Sequence, residues 1–200
     1  MKEVIFVILE GFADWEGAYI ATCLNQGVKP GNPISYKVKT LSITKEPVSS
    51  IGGFKVLPDY GLNDMPENYA GLVLIGGMNW FSPLGELIVP LVEKAVKENK
   101  LVAGICNASV FLGMHGFLNE VKHTSNTLDY LKQYAGDKYT GDSNYINKGR
   151  KYCNCQRNRA TGILQGNIIC IRSGYNRCDR RKLSVLQKWI LPGDIKRMKE

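Results

Sequence analysis

Arginine is absent from the first 149 residues of this 200-residue chain, and histidine occurs only at His115 and His123. No apolar run approaches the roughly 20 residues that a membrane-crossing helix needs, so no membrane partner is expected. No Gly-rich phosphate loop and no metal-ligand cluster is present, so no cofactor or metal is expected. The start, MKEVIFVILEGFADWE, has an apolar run of about seven residues, then acidic residues and no small-residue cleavage site. It reads as a first strand rather than a secretory signal. The expected location is cytoplasmic, with the six cysteines reduced.

The content that is there describes a globular chain: 44% hydrophobic, 22% charged, 22.3 kDa, enough for one α/β domain or one domain with an appendage. The net charge of +8 suggests nucleic acid, but its distribution argues otherwise. Residues 1–149 hold 13 Lys, no Arg and 15 Asp plus Glu, whereas residues 150–200 hold 5 Lys, 8 Arg and 3 acidic residues. Four of the six cysteines also lie in that last quarter. One evolved domain rarely breaks so sharply, so residues 1–148 are read as a domain and 149–200 as a basic Cys/Arg-rich tail.

Within the body, Lys2–Leu9, Ala70–Ile75 and Leu101–Ile105 are short, nearly continuous apolar runs, the pattern of strands buried on both faces. Ser35–Ile43 alternates like a strand, and Val48–Pro58 carries Gly-Gly between two extended pieces like a hairpin. Asp14 is expected to cap a helix running to Gln26–Gly27, with Cys23 in its core face. Further helices are expected over Leu84–Glu98, Asn107–Leu118 and Thr127–Tyr134, and a strand over Val121–Ser125. Alternation at this spacing predicts a doubly wound, flavodoxin-like parallel sheet.

The stretch LVAGICNASVF, 101–111, carries the chemistry. A buried strand runs into Cys106 and a helix starts at the next residue, with Gly104 and Ala108 flanking the cysteine two positions away on either side. This is the cysteine form of a nucleophile elbow. Unpaired N–H groups and the partial positive charge of a helix N-terminus favour thiolate there. A small cysteine that merely packs remains the alternative at this level.

Five segments together resemble the ThiJ/PfpI superfamily of the class I glutamine amidotransferase-like fold, and within it the intracellular protease/amidase branch: EGFADWEGAY at 10–19, SIGGFKVLPD at 50–59, LVLIGGMNW at 72–80, LVAGICNASVFLGMHGFLN at 101–119 and KHTSN at 122–126. They occur in family order across about 140 residues. The resemblance implies that Cys106 is the elbow nucleophile and that Glu16 leans over it, protonated and donating to the thiolate. Without the resemblance, Glu16 serves equally well as a first-turn glutamate stabilising its own helix. Gly76 and Gly77 match the family's glycine pair, whose N–H groups, with that of Asn107, form an oxyanion hole; a tight turn is the plainer reading. Homodimerisation is likewise implied by the resemblance.

Departures from the family pattern limit the mechanism. Many relatives carry His directly after the nucleophile, where this chain has Asn107. His115 lies nine residues into the elbow helix, about 13 Å away along the axis, and is expected to be structural. His123, nearer the site, is the remaining candidate general base, and Asn126 a candidate substrate ligand. A Cys-His-acid mechanism is therefore not secured. Trp15, Met78 and Trp80 are candidates for the pocket mouth, with ordinary packing as the alternative.

The resemblance stops near residue 148. Read one nucleotide forward, the codons permitted by 154–164 allow T-A-N-G-T-A-P-L-E-F, which resembles the family segment missing here, and those from Trp189 on allow G-F-Y. The tail is therefore expected to be a frameshifted translation. Cys153, Cys155, Cys170 and Cys178 are not spaced as a zinc site, and Arg177, Arg180 and Arg181 imply no specific nucleic-acid partner. The body is then expected to lack its last strand and final helix.

The sequence thus points to a cysteine-dependent enzyme that acts on a small carbonyl or amide substrate, amidase-like or glyoxalase-like. The alternatives are a non-enzymatic protein sensing oxidants through Cys106, or an inactive product of a frameshifted gene.

Overall fold

The computed structural model describes residues 1–26, 36–119, 134, 154–155 and 169–172. Its elements are β1 (Lys2–Val7), α1 (Asp14–Gln26), β2 (Tyr36–Leu41), β3 (Val48–Ser49), β4 (Lys55–Val56), β5 (Tyr69–Leu74), a 3₁₀ turn (Asn79–Phe81), α2 (Pro83–Glu86), α3 (Val89–Lys97), β6 (Leu101–Ile105), α4 (Asn107–Met114), β7 (Asn154–Cys155) and β8 (Ile169–Arg172). The main sheet runs β2-β1-β5-β6-β7, with β8 also on β6. All its pairings are parallel except β6 with β8. This is the flavodoxin-like doubly wound order expected from the apolar runs.

Alternate residues of each strand feed opposite cores, because successive side chains point to opposite faces. Ile5, Val7, Leu72 and Leu74 join Val92 of α3 and Phe111 of α4 on one face. Val4, Phe6, Val73 and Ile75 join Ile20 and Leu24 of α1 on the other. Both faces are covered, so the strands read as unbroken apolar runs.

The helix expected over Leu84–Glu98 is broken. Pro83 and Pro90 each open a helix, and Ser82 caps the first by accepting from the Leu84 N–H at 3.3 Å. Proline has no N–H to donate and fits only a first turn, so apolar periodicity continues where the hydrogen-bond ladder does not. Asp14 also differs from its expected role. It lies inside the first turn of α1, and its Oδ2 accepts from Ser50 Oγ at 3.1 Å in the β3–β4 hairpin. The elbow helix ends earlier than expected, at Met114, with Gly116 at φ 73° behind it; glycine takes that left-handed conformation without steric cost.

The outer edge of β6 is shared by two tail segments. Gly104 and Ile105 pair with β7, and Leu101–Ala103 with β8. The expected strand over Val121–Ser125 and most of the helix over Thr127–Tyr134 lie outside the described residues.

Candidate active site

Strands β5 and β6 end side by side, and the site is built where they stop. At the end of β6, Cys106 adopts φ 54° and ψ −124°, one of two non-glycine residues with positive φ among those described. Such a conformation costs about 1–3 kcal/mol and persists only where its surroundings impose it. Those surroundings are visible. The Cys106 carbonyl accepts from the Ser109 N–H at 2.9 Å and from Ser109 Oγ at 2.6 Å. A Cβ at Gly104 would meet Leu112 Cδ1 at 2.8 Å and the Ala108 carbonyl oxygen at 3.1 Å, so the strand can turn into the helix only with small residues here. Cys106 is half-buried and in no disulfide.

Glu16 comes from the first turn of α1, across the sheet from the elbow. Its Oε2 accepts from the Gly76 N–H at 3.0 Å. Gly76 is where the pieces meet. The space its missing Cβ would fill touches Glu16 Oε2, Cys106 Cβ (2.8 Å) and the Ile105 carbonyl oxygen (3.0 Å). The carboxyl and the cysteine therefore flank one glycine that admits no side chain. Gly77 is packed as tightly, with the Gly11 carbonyl oxygen 2.8 Å from its virtual Cβ.

Two sequence expectations change here. The Gly76 N–H is committed to Glu16, so it is not an open oxyanion donor. Its carbonyl accepts from the Ala13 N–H at 2.7 Å. Among the described residues the N–H groups of Gly77 and Asn107 have no hydrogen-bond partner. Trp80 is not at a pocket mouth. It is 1% exposed, its Nε1 donates to the Ile75 carbonyl at 2.7 Å, and its ring lies 4.9 Å from that of Phe111. It anchors the 3₁₀ turn in the core, satisfying its one polar atom as a buried indole must. Trp15 and Met78, by contrast, are 40% and 65% exposed.

His115 sits at the C-cap of α4, at the far end from Cys106. Its ring lies 4.6 Å from that of Phe111, tilted by 58°, and Nε2 lies 3.4 Å from Glu86 Oε1. His123 and Asn126 lie outside the described residues. Two contributors escaped the sequence reading. Ser109 gave no signal beyond its place three residues after the cysteine. For Asn107 the sequence points to the main chain alone, yet its side chain donates from Nδ2 to the Gly77 carbonyl at 3.0 Å and to Met78 Sδ at 3.4 Å. A buried amide directly after the nucleophile was the available clue.

A half-buried thiol on a strained strand-to-helix turn, faced by a glutamate from the first helix, is the arrangement that the five ordered sequence segments imply. The DJ-1/PfpI family profile matches residues 2–161. The chain belongs to the DJ-1/PfpI family. It is 39% identical over 148 residues to a Bacillus subtilis protein named as the uncharacterized protease YdeA, covering 74% of this chain and 70% of that one. It is 29% identical over 100 residues to the glutathione-independent glyoxalase DJR-1.2 of Caenorhabditis elegans, covering 49% of this chain and 54% of that one. Among solved structures, a DJ-1 superfamily protein from Agrobacterium tumefaciens superposes with a TM-score of 0.62 at 31% identity, over 72% of this chain and 76% of that one. The DJ-1/PfpI match ends beyond residue 148 but well short of residue 200. No described helix is long and apolar enough to cross a membrane.

Proposed function

We propose that this DJ-1/PfpI chain is a cytoplasmic thiol enzyme acting on a small carbonyl or amide compound. Strain at Cys106, set beside Glu16 across Gly76, carries the reading. The Cys106 thiolate attacks the carbonyl carbon. A C–S bond forms as the carbonyl π pair moves to oxygen, and the N–H groups of Gly77 and Asn107 receive the resulting oxyanion. Glu16 Oε2 is engaged by the Gly76 N–H, and in this reading Glu16 serves as the general acid that protonates the oxyanion or leaving group. With an amide, C–N cleavage and attack by water complete hydrolysis. With a glyoxal, the adduct is a thiohemiacetal, which isomerises by proton transfer to a hydroxyacyl thioester; water then adds to the acyl carbon and the C–S bond breaks, releasing the hydroxy acid and the Cys106 thiol. The names of the protease and glyoxalase relatives suit these two branches. His123 and Asn126 remain candidates for base and substrate ligand, and Trp15 and Met78 for the mouth. The same reading includes a homodimer, for which the exposed Ile51, Phe54 and Leu57 of the hairpin offer an apolar surface.

The test is turnover of methylglyoxal and of simple primary amides by wild type, Cys106→Ala and Glu16→Gln. Turnover lost in Cys106→Ala supports the reading; turnover unchanged in that variant refutes it. A second reading rests on the same half-buried thiol: Cys106 is oxidised to a sulfinate held by Glu16, and the protein reports oxidants instead of turning over substrate. Consumption of two peroxides per Cys106, the first giving a sulfenate and the second the sulfinate, with no turnover in wild type selects it.

A further inference from the structure

Asn107 directly follows the cysteine, and its side chain does something a base does not. Its carboxamide is buried and has only two N–H donors. The structure gives Nδ2 two acceptors, the Gly77 carbonyl at 3.0 Å and Met78 Sδ at 3.4 Å. Both belong to the segment leaving β5, about thirty residues away in sequence. A carbonyl acceptor also fixes which end of the amide is nitrogen.

Gly77 is consequently held from both sides. The peptide before it is set by the Gly76 carbonyl, which accepts from the Ala13 N–H at 2.7 Å. In a trans peptide the N–H points opposite to the carbonyl, so this bond aims the Gly77 N–H away from Ala13. The peptide after it is set by Asn107. Glycine has the widest backbone freedom of any residue, and here both flanking peptide planes are clamped. Three of the four main-chain polar groups of Gly76 and Gly77 have partners; the Gly77 N–H has none among the described residues.

We propose that Asn107 is a positioning residue: by holding the Gly77–Met78 peptide against the N-terminus of α4, it keeps the Gly77 N–H and its own N–H directed at one oxyanion. This rests on the thiol-enzyme reading above. Asn107 neither attacks nor transfers a proton. Its effect passes through Gly77, and Met78 marks the outer side of the same clamp.

The test is Asn107→Leu, which keeps the branched shape and removes both donors, with Asn107→Ser in its place should the leucine variant not fold. Steady-state kinetics with methylglyoxal are read beside Gly77 and Met78 amide hydrogen exchange. The expected result is kcat lower by about 10- to 100-fold, KM changed by less than about threefold, and faster exchange at both amides. Alkylation of Cys106 by iodoacetamide stays at the wild-type rate, because the thiol itself is untouched. Asn107→Gln, which keeps the donors on a longer arm, recovers part of kcat. Wild-type kcat in the leucine or serine variant overturns the proposal, as does a loss confined to KM or equal loss in leucine and glutamine variants. If wild type turns nothing over, the thiol-enzyme reading fails instead, and unchanged amide exchange in the variants then shows that the clamp fails too.

Discussion

The two ends of the same parallel sheet treat polar groups in opposite ways. At the end where the strands begin, and along the β2 edge, charges are spent on one another. Lys39 pairs with Asp59, whose Oδ2 accepts from the Thr40 N–H at 2.8 Å and from Thr40 Oγ1 at 3.0 Å. Tyr60 donates to Glu3 at 2.9 Å, and Lys100 meets Glu98 at 2.9 Å while lying 3.7 Å over the Tyr69 ring. At the end where β5 and β6 stop, the chain holds a strained cysteine, glycines that admit no side chain, and main-chain donors with no described partner. One end is built to hold together. The other holds a costly geometry for a reaction partner that the protein itself does not supply.

Substitutions should separate the two ends. The largest effect is expected at Cys106. Cys106→Gly should lower turnover by at least about a thousandfold, while raising stability by about 1 kcal/mol, because glycine relaxes the positive φ. Chemical denaturation and initial rates, measured together, check this opposition. Next, Gly76→Ala drives a methyl into Glu16 Oε2 and Cys106 Cβ. A cost of about 1–3 kcal/mol is expected from overpacking, with turnover lost as Glu16 is displaced; the wild-type melting temperature would contradict it.

Along the β2 edge and where the strands begin, effects should be confined to stability. The bonds from Lys39 and Thr40 hold the Asp59 carboxyl below its ordinary value against the opposing cost of burial. A depressed folded-state carboxyl stabilises above its unfolded value and loses that contribution as pH falls through the folded value. Asp59→Asn should therefore cost about 1 kcal/mol at pH 7 and flatten the acid limb below about pH 4, with turnover unchanged. Smallest is Tyr69→Phe. Burial, aided by Glu98, pushes the phenol up to about 12, and its hydroxyl is buried without a hydrogen bond. Because its folded value is raised, the wild-type chain loses stability as pH climbs from about 10 towards 12. The phenylalanine variant should lose less there and be neutral to about 1 kcal/mol more stable at pH 7. Thermal melts across pH 7–11 decide it.

Much of the site was legible because its signals are local. The apolar runs that become β1, β5 and β6 stop where the chain turns, and Cys106 sits between a buried strand and a helix in one continuous stretch. What was not legible depends on distant partners. Nothing near Gly76 reveals that Glu16, sixty residues earlier, takes its N–H. Trp80 stands four residues after Gly76, which leaves pocket mouth and ordinary packing both open; sequence distance carries no direction, and its indole turns inward to the Ile75 carbonyl. Over Leu84–Glu98 the apolar period survives a break at Pro90, so periodicity alone ran two helices together. The charge step near residue 149 marked a change of character without showing that β7 and β8 would take the β6 edge.

The central claim, that strain at Cys106 presents a reactive thiol, is tested most directly by its rate of alkylation. Limiting iodoacetamide at pH 7, followed by peptide mass mapping, should show Cys106 modified at least about tenfold faster in the folded chain than in the same chain unfolded in urea. A folded-state rate equal to or below the unfolded one would contradict the account, leaving Cys106 as a packed cysteine on an unusual turn.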